Sequence, residues 1–235
     1  MDQLIVALDV ESSTRAIALA DSLRDVVGAF KIGSRLFTLE GPSIVRRLTE
    51  RGDRVFLDLK FHDIPNTVAQ AVDAATSLGV WMLNVHAAGG RRMMAAAVEA
   101  AHQSAARQNL QPPFVIAVTV LTSMSAEALA ETGLDVPVLD HVVRLARLTQ
   151  NAGLDGVVAS AQETALIRKA CGKNFAIVTP GIRDRANAAK DDQERTMTAP
   201  EAIAAGASYI VVGRPIIAAP DPRAAAERLL EGVSR

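Results

Sequence analysis

Eight short apolar runs, separated by longer amphipathic segments across 235 residues, predict an α/β chain folded as a (β/α)8 TIM barrel, with residues 1–235 forming a single domain. Most of these runs are continuous rather than alternating, as parallel strands covered on both faces require. Hydrophobic residues make up 49% of the chain and aromatics only 3%, so the core must be Val, Ile, Leu and Ala. That palette suits buried strands under Ala-rich helices. A doubly wound open sheet is the competing fold. The chain carries no Gly-x-Gly-x-x-Gly after its first strand, which counts against the dinucleotide-binding version.

The expected strands are Leu4–Val10, Ala29–Gly33, Val55–Lys60, Trp81–Ala87, Phe114–Leu121, Gly156–Ser160, Phe175–Gly181 and Tyr209–Pro215. Between them, Ser12 to Val26 reads as a helix with Ile17, Leu19, Ala20 and Leu23 on one face. Asn66 to Leu78 repeats Val68, Ala71, Val72 and Ala75, and Val136 to Ala152 carries a long apolar stripe. Thr198, Pro200 and Glu201 form a helix-start signature. Leu78-Gly79 and Asn151-Ala152-Gly153 look like helix ends. The segment Gly181 to Met197 is long, polar and poor in apolar anchors, and is expected to be a lid.

Formal net charge is −1, from 25 basic and 26 acidic residues, with no Lys/Arg block. This excludes the clustered basic surface that nucleic-acid binding needs. The lone cysteine, Cys171, reads as an ordinary thiol and rules out an internal disulfide. A reducing compartment, the cytoplasm, is therefore expected. The start, MDQLIVALDV, runs directly into a strand without a basic leader, so no signal peptide is expected. No apolar run approaches the roughly 18 residues of a membrane span.

Catalysis in such barrels happens at the C-terminal ends of the strands. There the chain places Asp9, Lys31, Asp58 with Lys60, Asn84 with His86, Thr119 with Thr122 and Ser123, Ser160, Thr179 with Arg183, and Gly213 with Arg214. Period-two geometry puts Asp58 and Lys60 on one face of the third strand, aimed into the barrel mouth, with Leu57 and Leu59 turned to the helices. Lys31 can join them from the neighbouring strand, and Asp63 lies just beyond, on the loop. A Schiff-base lysine must be neutral, whereas flanking carboxylates favour the ammonium. Lys60 therefore reads as a fixed cation and proton donor, which fits a lyase that generates a carbanion. Gly213 and Arg214, with Arg183 and Gln193 from the long loop, form a second group suited to phosphate. A small phosphorylated ligand is implied.

These residues lie in motifs that resemble one family. DLKFHDIPNTV closely resembles the signature of the orotidine 5′-phosphate decarboxylases, which complete UMP synthesis. The resemblance extends through ALDV, KIG, VTVLTS, TPGIR, DDQ and VGRPI over nearly the whole chain. It implies a (β/α)8 barrel working as a homodimer without metal or organic cofactor. Lys60 would protonate C6 of the pyrimidine after carbon dioxide leaves, with Asp58 beside the departing carboxylate. Lys31, and Asp63 supplied across the dimer interface, would complete a charged tetrad. Asp9 and Lys31 would hold ribose hydroxyls, with Thr67 helping from the other subunit. Thr122 would read the pyrimidine edge. Gln193, Gly213 and Arg214 would hold the phosphate, with Arg183 beside them.

Plainer readings stand beside these. Asp58 and Lys60 could form a structural ion pair, Arg214 could be a surface residue, and Asp9 could cap the first helix. His62 reads as structural, pointing opposite to Lys60. His86 and Asn84 could line the mouth, with His86 read as a hydrogen-bonded core residue. His102 and His141 fall on helices, and the histidines show no metal-ligand spacing. The competing functions are a metal-dependent barrel lyase acting on a sugar phosphate, such as a keto-gulonate phosphate decarboxylase or hexulose phosphate synthase, and a non-catalytic phosphate-binding module.

Overall fold

The computed structural model describes residues 2–182 and 197–233. Its strands are β1 (Leu4–Ala7), β2 (Ala29–Gly33), β3 (Val55–Phe61), β4 (Met82–His86), β5 (Phe114–Val118), β6 (Gly156–Val158), β7 (Ala176–Thr179) and β8 (Tyr209–Val212). The helices are α1 (Ser13–Leu23), α2 (Ser34–Glu40), α3 (Pro42–Thr49), α4 (Pro65–Thr76), α5 (Gly90–Gln108), α6 (Ala126–Glu131) and α7 (Val138–Asn151). They continue as α8 (Thr164–Cys171), α9 (Ala199–Ala204), α10 (Arg214–Ile217) and α11 (Pro222–Leu229). The strands close in sequence order into a barrel, every neighbour parallel, with β8 pairing back onto β1. This is the predicted (β/α)8 barrel, and the open sheet is excluded.

Strand parity splits the core in two. Ile5, Ala29, Phe56, Met82, Ile116, Val178 and Val211 fill the barrel interior. The alternate residues, such as Leu4, Val6, Leu57 and Leu83, pack outward under the helices. The few aromatics concentrate at strand starts. Trp81, just before β4, meets the edge of Tyr209 at 5.2 Å and of Phe114 at 5.8 Å, with the Arg54 guanidinium 5.8 Å from its ring. These side chains occupy the N-terminal end of the barrel and leave the opposite end for polar groups.

Several strands are shorter than their apolar runs, because ladder pairing ends where the chain turns toward the helices. Helix α1 is capped by Ser12, whose side chain accepts the Arg15 N–H, so Asp9 is not the cap. The capping box at Thr198 and Glu201 is present. Of the expected lid, Gly181 to Met197, residues 183–196 lie outside the described residues. An isolated parallel bridge joins Ile182 and Met197 on either side of it. Among the described residues, no helix is long and apolar enough to cross a membrane.

Candidate active site

Inward parity at the C-terminal strand ends brings four predicted residues into one chain of alternating charge. Lys31 Nζ lies 3.2 Å from Asp9 Oδ1 and 3.2 Å from Asp58 Oδ2. Lys60 Nζ lies 2.7 Å from Asp58 Oδ1. The side chains of Lys31 and Asp58 are 10% and 12% exposed, whereas that of Lys60 is 36% exposed. Lys31 is thus clamped between two carboxylates. Among the described residues, the Lys60 ammonium donates only to Asp58, and an ammonium carries three N–H groups. Lys60 has more N–H groups left to offer than Lys31, whose ammonium meets two carboxylates.

Burial pushes the Asp58 carboxyl up. The ammoniums of Lys31 and Lys60, and hydrogen bonds from Lys60 and Asn84, outweigh that push and hold it below the ordinary carboxylate value. Lys31 reaches its position because Gly33 has no side chain. A β-carbon there would lie 2.9 Å from Lys31 Nζ and 3.0 Å from Asp9 Oδ1.

The period-two argument reaches the correct face for Lys60 by an irregular route. Pairing of β3 with β4 matches Leu57 to Leu83 and then Phe61 to Val85, so β3 carries extra residues between them. Lys60 has φ of 53°, the left-handed region, which costs a non-glycine residue about 1–2 kcal/mol. Its N–H donates to Asn84 Oδ1 at 2.8 Å, and Asn84 Nδ2 donates to Asp58 Oδ1 at 2.7 Å. Asn84 is fully buried. Sequence reasoning placed it only along the mouth and missed this double contact.

The same turn alters the histidines. His62 is not directed away from the site but stacks on His86, with ring centroids 5.3 Å apart. His86 is half-buried and stacks on the His62 ring, so it lines the mouth rather than sitting in the core as expected. Burial lowers its pKa, with further lowering from His62 and Lys60 and partial opposition from Asp58.

Asp63 and Thr67 are not brought into the cluster of their own chain. Both are exposed, and Asp63 Oδ1 accepts the Ile64 N–H at 2.6 Å. Ile64 between them is 67% exposed. Thr122 is half-buried in the turn after β5. Gly213 caps α10, and a β-carbon on it would stand 4.0 Å from Asp9 Oδ2, so the β8 end adjoins the charged cluster. Arg214 is exposed at the first position of α10. Arg183 and Gln193 lie outside the described residues. Glu163 also escaped sequence reasoning. It is 2% exposed and accepts the Ser160 N–H at 2.8 Å beyond β6. Among the described residues, no group of three His, Cys, Asp or Glu could hold a metal ion.

A closed parallel barrel with an ion-paired lysine among charged groups at its C-terminal mouth has the layout of the barrel enzymes, whose active sites lie at that end. Residues 2–229 match the model of the Orotidine 5'-phosphate decarboxylase / HUMPS family. The orotidine 5'-phosphate decarboxylase of Syntrophotalea carbinolica is 56% identical, covering 97% of this chain and 93% of its own. That of Moorella thermoacetica is 55% identical, covering 97% and 90%. The crystal structure of the Lactobacillus acidophilus orotidine 5'-phosphate decarboxylase superposes with a TM-score of 0.87 at 35% identity, over 99% of both chains. The chain belongs to the Orotidine 5'-phosphate decarboxylase / HUMPS family.

Proposed function

We propose that this chain, acting as one catalytic domain over residues 1–235, converts orotidine 5′-phosphate to UMP and carbon dioxide in de novo pyrimidine synthesis. The observation that carries the reading is the Lys60 ammonium, anchored by Asp58 at 2.7 Å yet still partly exposed at the mouth. Relatives more than half identical over nearly the full length carry this activity in their names. The C6–carboxylate bond breaks, carbon dioxide departs past Asp58, and the electron pair stays on C6. The adjacent ammonium stabilises that charge and passes one proton to C6, and solvent then reprotonates the amine. Lys31, held between two carboxylates, fixes Asp58 and faces the ribose with Asp9.

Thr122 reads the pyrimidine edge. Gly213 and Arg214, with Arg183 and Gln193, bind the phosphate, whose binding energy helps to organise the site. The working form is a homodimer in the cytoplasm, in which Asp63 and Thr67 serve the neighbouring site. Support for this lies in the exposure of Asp63, Ile64 and Thr67 side by side. No metal is required.

The test is the fall in absorbance of orotidine 5′-phosphate in metal-free buffer. Steady turnover unaffected by EDTA is expected. Turnover lost to EDTA and regained with a divalent cation on a sugar phosphate substrate would favour the metal-dependent lyase. UMP binding without any turnover would leave a binding module.

A further inference from the structure

Asn84 occupies a position with two incompatible demands. Opposite it, β3 departs from the ladder between Leu57 and Phe61, so the Lys60 N–H has no strand partner. A buried N–H left that way is costly. Asn84 Oδ1 accepts it at 2.8 Å. On the other side stands the Asp58 carboxylate, which only accepts, and Asn84 Nδ2 donates to its Oδ1 at 2.7 Å. A backbone N–H can only donate and an ionised carboxylate can only accept, so these partners fix which way the amide points. The Asp58 oxygen it holds is the same Oδ1 that receives Lys60 Nζ. One buried amide therefore touches both ends of the proton donor, its backbone directly and its ammonium through the shared oxygen.

From this geometry we propose that Asn84 is a positioning residue for the decarboxylation, setting where the Lys60 ammonium stands by holding its left-handed backbone and its carboxylate anchor together. The inference rests on the function proposed above. Asn84 is 0% exposed and its amide bonds to Lys60 and Asp58, so its part is to act through them rather than on the reacting atoms. Few side chains meet the demand. Alanine or leucine leaves both partners unmet. Serine is too short to span them. Aspartate keeps the acceptor for Lys60 but sets a second carboxyl against Asp58.

The test compares Asn84→Ala and Asn84→Asp with the unaltered enzyme, measuring kcat and KM for orotidine 5′-phosphate from pH 5.5 to 8.5 alongside thermal melting. For Asn84→Ala, kcat should fall roughly 10–100-fold, the usual loss when a supporting hydrogen-bond partner is removed, while KM changes less than about threefold. For Asn84→Asp, the new carboxyl acts as donor to Asp58 only while protonated. Its kcat should therefore decline as pH rises, a limb missing from the unaltered enzyme. The charged and titratable groups around the position are Asp58 and Lys60 from β3, Lys31 from β2 through Asp58, and His86 on β4 with His62 stacked on it. All are common to both proteins, so the added limb isolates the new carboxyl. If Asn84→Ala does not fold, the Asn84→Asp profile decides alone. A kcat within about twofold of normal in folded Asn84→Ala, or an Asn84→Asp profile parallel to the normal one, overturns the proposal. An unaltered enzyme that does not turn over orotidine 5′-phosphate overturns the proposed function and this inference with it, whereas failure confined to the Asn84 comparison leaves the function standing.

Discussion

A β-carbon on Gly33 would lie 2.9 Å from the ammonium of Lys31. The glycine's φ is −94°, which any residue adopts, so the position is constrained by this contact and not by its backbone. Asp9 and Asp58 hold the Lys31 tip there at 3.2 Å each, so a sideways shift of that tip disturbs the charged cluster.

Gly33→Ala should therefore act on the site more than on the fold. The obstructed atom is the tip of a flexible side chain, so a thermal melt should shift little. Displacing an oriented charge should lower kcat/KM by about tenfold or more. Activity within twofold of normal would mean that the cluster tolerates a shifted Lys31.

Arg214→Ala should weaken binding through the phosphate. A charge-assisted hydrogen bond of roughly 1.5–3 kcal/mol corresponds to a KM about 10–100-fold higher. Turnover of orotidine, which lacks the phosphate, should be unchanged by the substitution. Equal losses on both substrates would place Arg214 elsewhere in the mechanism.

Lys60→Ala should abolish decarboxylation, by about 10⁴-fold or more, because it removes both the proton and the adjacent charge. The fold should survive, since Asp58 keeps Lys31 as its partner. Asp63→Asn should also be inactive alone. If Asp63 serves the neighbouring site, mixing the two variants creates hybrid dimers with one intact site, and random exchange should restore about a quarter of normal activity. Absence of rescue, with exchange verified by mass, would place each Asp63 in its own subunit's site.

Asp58 links stability to acid. Its folded carboxyl titrates below the ordinary range, so its ionised form stabilises the fold above that range, and this contribution is lost as pH falls through the folded value. The urea midpoint of the unaltered protein should exceed that of Asp58→Asn at pH 6. The gap should close as pH drops below about 4, where ordinary aspartates titrate. A gap that stays constant to pH 3 would mean that the carboxylate contributes nothing through its charge.

Much of this was legible along the chain because barrel geometry is periodic and local. Continuous apolar runs separated by amphipathic helices specify buried parallel strands, and strand parity aims Asp9, Lys31 and Asp58 inward before any contact is known. The signature around Lys60 and its identity with related chains supply the family. What the sequence could not express is how neighbouring strands meet. The left-handed turn at Lys60 breaks the period that pointed to its direction, and it moves His62 from an assumed outward position onto His86. Asn84 matters only because the β3 ladder is interrupted opposite it, and Gly33 only because an ammonium passes over it. Each depends on inter-strand register and on atoms brought together from separate strands. Residue type and spacing therefore determined the barrel and the charged residues at its mouth. The tertiary structure alone decided their exact aim, because register is a property of strand pairs, which no single segment encodes.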